Sequence, residues 1–424
     1  MRVSISRAKS SSAVAGFPMA QSRFQPIFLL LLLLVAPFCS AETNSHALPA
    51  FPGAEGFGAL ATGGRGGEIY LVTTLADRGP GSFRDAVSKG HRTVIFTVAG
   101  YIELASPVHV ASDITIAGQT APGLGVCTKN FEVTFDGSRN IIARYFRMRQ
   151  GLTNRQDRKC TLNLHKCRDV ILDHVSVEWG RWDCIGFADA KDVTLQYCII
   201  GQGVDPQRFG CLCESDNVTF SHNLWIDNHS RNPKSKGTVQ FINNVVYNWG
   251  VVGYVGGHSE SSHAADLINN YFIKGPSSSN HFAGELTATD HIFQSGNYVD
   301  LDRDGQLNGR PAKPSDFSSA TIVAARALTP QIPVTEDSAA DAYTKVLANA
   351  GDSLHRDAID TRLLEQLQSL GKTGAIIHDP KEMDGFGKIP PAAAHPLHLA
   401  APNQILPSGY TKLEEYINAI SPSR

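Results

Sequence analysis

Val218-Thr219-Phe220-Ser221-His222-Asn223-Leu224-Trp225-Ile226 is the stretch on which the fold turns. Val218 and Phe220 alternate with Thr219 and Ser221, the period of a strand with one buried face. His222-Asn223 makes a polar corner, and a second apolar run follows it. The same figure returns as Ile114-x-Ile116-x-Gly118, Ile141-x-Ala143-x-Tyr145, Val170-x-Leu172-x-His174, Val193-x-Leu195-x-Tyr197, Val239-x-Phe241-x-Asn243 and Ala265-x-Leu267-x-Asn269. Successive corners lie 27, 29, 23, 25, 21 and 26 residues apart. A unit of this length cannot bury its inner face alone, so units stack and share one core. Two or three short strands per unit, with no helix between them, predict an all-β chain: a right-handed parallel β-helix. Asn223, Asn244 and Asn270 follow the corner in three successive coils. Asparagine is common in turns, but one offset repeated three times predicts a hydrogen-bonded ladder.

The flanks are different in kind. With 424 residues there is ample chain for a large core. Residues 1–41 hold Arg2, Arg7, Lys9 and Arg23 but no acid, then an apolar run at 27–36 and the small-residue site Cys39-Ser40-Ala41. That is the layout of a secretory signal. The run is about ten residues, where a membrane span needs about 20. We expect cleavage after Ala41, export to the periplasm or medium, and no membrane partner. Without that segment 34 basic residues face 40 acidic ones. An acidic chain of this kind is not a general nucleic-acid binder, and an anionic partner needs a local basic patch. Seven cysteines from Cys127 to Cys213 remain, an odd number whose spacing gives no disulfide framework.

Residues 51–67 are glycine-rich but lack the Gly-Lys-Ser/Thr of a phosphate loop. Ser82 N-caps a short helix over 82–87 that can plug the open end of the solenoid. Beyond 310 the repeat stops. Helical patterns at 339–347, 360–370 and 412–419 make a partly helical C-terminal tail, 311–424, strapped along the solenoid at 51–310.

One loop stands out between strands: Asp227-Asn228-His229-Ser230-Arg231-Asn232-Pro233-Lys234-Ser235-Lys236-Gly237. Arg231 lies nine residues past the His222 corner, and Asp183 nine past the His174 corner. Two coils separate them, about 10 Å at the usual strand spacing. Arg208 is eleven past Tyr197, on the coil between. One outer face therefore gathers Asp183, Arg208, Arg231, Lys234 and Lys236. An acid beside four cations suits an anionic polymer, with a divalent cation at the acid. A structural ion pair between Asp183 and an arginine accounts for the same residues. No histidines have zinc-motif spacing, and His174 and His222 at the corners are expected to be packed. No nucleophile elbow supports a Ser-His-Asp hydrolase.

Several motifs together resemble the pectate lyases of polysaccharide lyase family one. They are Phe51-Pro52-Gly53-Ala54-Glu55-Gly56-Phe57-Gly58, Gly79-Pro80-Gly81-Ser82-Phe83-Arg84-Asp85-Ala86, and Ile114-Thr115-Ile116-Ala117-Gly118-Gln119-Thr120-Ala121-Pro122. Others are Asp173-His174-Val175-Ser176 with Trp179-Gly180, Ile199-Ile200-Gly201-Gln202-Gly203, the loop 228–236, and Asn243-Asn244-Val245-Val246-Tyr247-Asn248-Trp249. The resemblance covers about 51–310. It implies a pectin lyase-like β-helix that acts as a monomer and cleaves polygalacturonate, or a related plant-type uronan, by β-elimination with Ca2+. It implies Arg231 as the base, Lys236 as a binder of the substrate carboxylate with Lys234 beside it, and Arg208 roughly where the family has a lysine.

The metal site departs from that pattern. Asp183 matches the acid of the second coil, but Cys184 follows it where relatives carry glutamate. Counting 13 back from Asp173 reaches Cys160 in place of an aspartate. Calcium takes oxygen ligands, so a thiol serves it poorly. Asp157 from the adjoining loop is a substitute ligand; Asp173 is a further metal candidate, which as part of the Asp-His-Val-Ser motif can instead support the structure from behind. Three readings stay open: calcium held by Asp183, Asp157 and substrate; a calcium-independent, pectin lyase-like enzyme with Arg181 or Arg208 in place of the ion; or a non-catalytic polysaccharide binder. A β-helical glycoside hydrolase with Asp183 and Asp205 as paired carboxylates is a further alternative. Cys160 and Cys184 on neighbouring coils are also expected within disulfide reach.

Overall fold

The structure is a computed structural model that describes residues 47–152, 159–317, 319–394 and 397–421. The expected secretory segment and Asp157 lie outside the described residues. The stretch around Phe220 is the strand Phe209–Ser221, paired in parallel with Asp183–Gln196 on one side and Lys234–Ile242 on the other. The order extends back through Arg168–Asp173, Arg139–Arg144 and Ile114–Ala117, and forward through His263–Ile268 and Asp290–Ser295. A second sheet stacks three-residue strands in the same order, among them Ser176–Glu178, Ile199–Gly201, Leu224–Ile226 and Val245–Tyr247. Pairing is parallel throughout, save at the two end strands of the second sheet, Arg310–Pro311 and Ala392–Ala393. The chain is a parallel β-helix, as the repeat predicts.

Alternation fills the interior. Val170, Leu172, Val193, Leu195, Val218, Phe220, Val239 and Phe241 are fully buried in one continuous core. Each coil then turns through a left-handed residue: Tyr145, His174, Tyr197, His222, Asn243 and Asn269 have φ between 51° and 58°. Rings at this corner stack, Tyr145 on His174 at 4.6 Å, His174 on Tyr197 at 5.2 Å and Tyr197 on His222 at 4.7 Å. His174 and His222 are packing residues, as expected. The asparagine ladder forms too. Asn244 Oδ1 accepts from Asn223 N at 3.0 Å, Asn270 Oδ1 from Asn244 N at 2.8 Å, and Asn297 Oδ1 from Asn270 N at 3.0 Å. Asn297 is a fourth rung, one coil beyond the three in the sequence pattern.

Several of the three-residue strands are apolar on both faces because both are covered. Ile200, Trp225, Val246 and Phe272 point into the solenoid core. Ile199, Leu224, Val245, Tyr247 and Tyr271 point out against the helices Ala339–Asn349 and Ala358–Gln368 of the tail. The tail also brings acids to two buried arginines. Arg149 bonds Glu178 and Asp360, each at 2.8 Å, and also Asp357; Arg147 meets Asp352 at 3.1 Å. Asp357 is the N-cap of its helix, so one carboxylate serves both the cap and the ion pair.

The glycine-rich segment crosses the outer face of the first sheet. Gly58 N donates to Thr194 Oγ1 at 2.9 Å, and a Cβ on Gly58 would lie 2.0 Å from the carbonyl of Val170. Only glycine lets the two backbones approach so closely. The helix Phe83–Val87 is capped by Ser82 and puts Phe83 against Phe96 and Phe146 at the end of the core. Among the described residues no helix is long and apolar enough to cross a membrane.

Candidate active site

The basic loop is built on buried asparagines and an aspartate. Asp227 accepts from Asn248 Nδ2 at 2.6 Å and Gln202 Nε2 at 3.3 Å, and burial pushes its carboxyl up to about 7. Asn228 Nδ2 donates to Ile200 O at 3.0 Å and Asn232 Oδ1 at 2.9 Å, which closes the loop on itself. Ser230 bridges in parallel to Phe209, and Phe209 pairs in turn with Asp183. The register places the neighbour of Arg231 over Asp183 with one coil between, within a residue of the expected alignment. Arg231 itself is left-handed, with φ 61°. Gly210 leaves room for its carbonyl, which would lie 2.4 Å from a Cβ there.

These constraints aim the guanidinium of Arg231 at Asp183. Nη1 donates to both carboxylate oxygens at 3.1 Å. The same group lies over the ring of Phe209, 4.2 Å from its centroid, a cation–π contact that crosses the intervening coil. Asp183 is buried, while the Arg231 side chain keeps 20% exposure. Burial pushes the Asp183 carboxyl up to about 6, against the pull of Arg231 in the other direction. The structural ion pair and the functional candidate are thus the same two residues.

The remaining cations form a second tier. Lys234 Nζ lies 2.9 Å from His258 Nδ1 and 3.3 Å from Glu285, and burial lowers its amine. Lys236 donates to Glu214 at 2.7 Å, its register partner on the preceding coil. Arg208 turns the other way, with Nη1 3.3 Å from His378 and Nε 3.5 Å from Asp205. It borders an open cleft of about 520 Å³ with His229, Val251, Ser277 and His281. Asp205 is half-buried and engaged by His378 and Arg208. Phe209, Glu214, His258 and Glu285 were not apparent in the sequence. Their signal lies in cross-coil register, which bulges at Ala188/Lys191 and Ser215/Val218 shift.

The metal ligands need correction. Asp173 is not placed as a metal ligand; it supports the structure, the other role read for it. It is level with Gln196, at the far end of the 14-residue strand that begins with Asp183. Its carboxylate is taken by Arg144 and Gln196, each at 2.8 Å. Extending the pairing of Leu162 with Ile185 back two residues sets Cys160 level with Asp183, where the count from Asp173 put it. The expected Cys160–Cys184 disulfide does not form; all seven described cysteines are free and buried. The Cys184 sulfur turns into the core toward Gly201 O and Asn228, whereas that of Cys160 lies against Gly186 on the side of Asn163. Burial raises both thiols, which disfavours thiolate ligands. Among the described residues no three His, Cys, Asp or Glu side chains stand together as a metal cage. With the Asp183 carboxylate committed to Arg231 and a thiol beside it, the described residues do not fit calcium here.

No protein-family model matches the chain. Among curated proteins it is 41% identical over 417 residues to a probable pectate lyase C of Neosartorya fischeri, covering 93% of this chain and 98% of that protein. A probable pectate lyase C of Emericella nidulans is 41% identical over 372 residues, covering 86% and 85%. Among solved structures, a thermostable pectate lyase superposes with TM-score 0.53 at 13% identity, covering 73% of this chain and 98% of that one. A Bacillus subtilis pectate lyase gives 0.51 at 13%, covering 71% and 97%. At that identity the structures speak for the fold, and the curated relatives carry the family. The chain belongs to the pectate lyases, a family of polysaccharide lyases.

Proposed function

We propose that the chain is a secreted, monomeric lyase that cleaves polygalacturonate by β-elimination on the face that carries Arg231. The observation that carries this is the Asp183–Arg231–Phe209 column, which holds one partly exposed guanidinium near Lys234. In the reaction the C5 proton leaves to a base. Its electron pair forms the C4=C5 double bond, and the C4–O bond breaks with the electrons going to the leaving oxygen. Charge develops meanwhile on the C6 carboxylate, and fixed cations there lower the barrier by several kcal/mol. Lys236, Lys234 and Arg231 supply such cations, and Lys236 can exchange Glu214 for a substrate carboxylate. Arg208 and its cleft would take the next part of the chain.

Arg231 is the proposed base. Arginine is ordinarily a permanent cation, so this role needs an acceptor for its proton. Asp183 bonds that guanidinium directly, and its raised carboxyl makes it a better acceptor than an ordinary aspartate. A second reading makes Lys234 the base, favoured by its lowered amine. The elimination uses the chain's own cations and no calcium at Asp183. The test is incubation with polygalacturonate, with calcium or with chelator, followed by the ultraviolet absorbance of unsaturated uronides. New absorbance in chelator supports elimination by the chain's own cations. Reducing ends without absorbance would mean hydrolysis. Loss of absorbance in Arg231→Ala but not in Lys234→Met assigns the base to Arg231.

A further inference from the structure

The basic loop is continued by two further coils. Lys234 pairs in register with Val255, and Val255 with Gly284, so the short strands Tyr254–Val255 and Ala283–Gly284 extend the stack at this point. Just past them stand His258 and Glu285. Both have left-handed backbones, with φ 31° and 51°. That conformation is uncommon for residues other than glycine and persists only where the surroundings hold it.

The segment that carries His258 is held from beneath. Gly257 N donates to Asp290 Oδ1 at 2.9 Å, and a Cβ on Gly257 would lie 2.1 Å from the His263 ring. His263 Nδ1 accepts from Gly237 N at 2.9 Å, so its proton sits on Nε2, which donates to Ser259 Oγ at 2.7 Å. One buried histidine thus ties the end of the basic loop to the residue after His258. Above it three atoms form a triangle. Lys234 Nζ lies 2.9 Å from His258 Nδ1 and 3.3 Å from Glu285 Oε2, and Nδ1 lies 3.1 Å from Oε2. Nδ1 and Oε2 both act as acceptors here, and two acceptors this close repel unless one donor serves both. The Lys234 ammonium is that donor. It has three N–H groups, of which the triangle takes two, and its side chain is only 10% exposed.

We propose that His258, with Glu285, is a positioning residue for the elimination: it fixes the Lys234 amine so that the third N–H meets the substrate carboxylate. This rests on the part given to Lys234 in the function proposed above, whereas the triangle itself does not. An imidazole acceptor holds the ammonium without cancelling its charge, as a second carboxylate would. Burial and the charges of Arg231 and Lys236 act against the charged amine, and Glu285 opposes them. The strained backbones of His258 and Glu285 are accounted for in the same way, since they bring one neutral and one anionic acceptor to the same N–H donor.

The test uses the full chain and two readouts. The side chains of His258 and Glu285 are roughly half exposed, so substitutions there leave the core intact. His258→Ala removes the acceptor, while His258→Asn sets an amide oxygen in the place of Nδ1. On polygalacturonate, His258→Ala is expected to lower kcat about tenfold with little change in KM, and His258→Asn to return it to within about threefold of the parent. The second readout needs no activity. Competitive acetylation with acetic anhydride, followed by mass spectrometry, gives the ratio of Lys234 to Lys236 labelling. That ratio is expected to rise about threefold or more in His258→Ala and in Glu285→Gln, and to stay near the parent's in His258→Asn. An unchanged ratio in His258→Ala would overturn the proposal. So would kcat of His258→Ala within twofold of the parent, or His258→Asn as slow as His258→Ala. If the parent forms no unsaturated uronide, the lyase reading fails on its own account, and the labelling ratio still decides whether His258 holds Lys234.

Discussion

Asp183→Asn separates activity from stability, because the structure makes the two move in opposite directions. The carboxyl sits at about 6 instead of 3.8, with burial the largest cause and Arg231 opposing it. A displacement of about two units is about 3 kcal/mol by which burial outweighs the attraction of Arg231 at neutral pH. Asparagine keeps the shape and one acceptor but removes the buried charge. Arg231 remains partly exposed and can rehydrate. Stability at pH 8 is therefore expected to hold or to rise by up to about 3 kcal/mol. The pH trend follows from the sign. A raised folded-state value means that the folded chain holds this proton more tightly than the unfolded chain. The contribution of Asp183 is then most favourable below about 4 and declines as pH rises to about 6. The gain of the variant over the parent should grow across that window and stay flat above it. Activity behaves otherwise, since Arg231 loses the bond that aims it, and kcat/KM should fall about 100-fold, or about 2.7 kcal/mol. Urea unfolding at pH 4, 6 and 8, with uronide absorbance on the same samples, measures both. A loss of more than 2 kcal/mol of stability at pH 8, against the gain expected from relieved burial, would refute the reasoning. So would activity within twofold of the parent.

Phe209→Ala removes the ring under Arg231 and should lower kcat about tenfold with little change in KM, since the ring positions the guanidinium without belonging to the carboxylate-binding tier; steady-state kinetics on polygalacturonate reads this. Asn244→Ala takes the shared acceptor from Asn223 N and Nδ2 and removes the Nδ2 donor that bonds Phe220 O, Ile242 O and Asn270 Oδ1, and should cost about 3 kcal/mol in urea unfolding because buried amides are left unpaired. Arg149→Met leaves Glu178, Asp357 and Asp360 without their common partner. It should cost about 3–5 kcal/mol and expose the tail to limited proteolysis before the solenoid.

The fold was legible because a coil is a local object. Val218, Phe220, His222 and Asn223 state one strand, one left-handed corner and one ladder rung within six residues, and the coil repeats before other structure intervenes. The doubly apolar runs were harder to interpret. Ile199-Ile200 or Val245-Val246 reads as a short strand in sequence, but nothing local says that its outer residue waits for Tyr343, Val346 and Leu363 of the tail. The glycines at 56 and 58 were visible as a motif, whereas their reason, close passage over Val170 and Thr194, belongs to a segment more than a hundred residues away.

At the site, offset from a corner is a ruler that works only while coils keep the same length. It aligned Asp183 with Arg231 to within one residue and set Cys160 level with Asp183, because few insertions lie between those corners and these positions. Asp173 entered through its motif and not through an offset, and it sits at the opposite end of the strand register from Asp183, bound to Arg144 and Gln196. The ruler was silent on Phe209, whose place between Asp183 and Arg231 depends on the length of the excursion that also carries Arg208. Of the described residues named as metal ligands, Asp183 stands where the offset put it and Asp173 stands elsewhere. Asp173 is structural, Cys184 faces the core, and the Asp183 carboxylate is spent on the guanidinium.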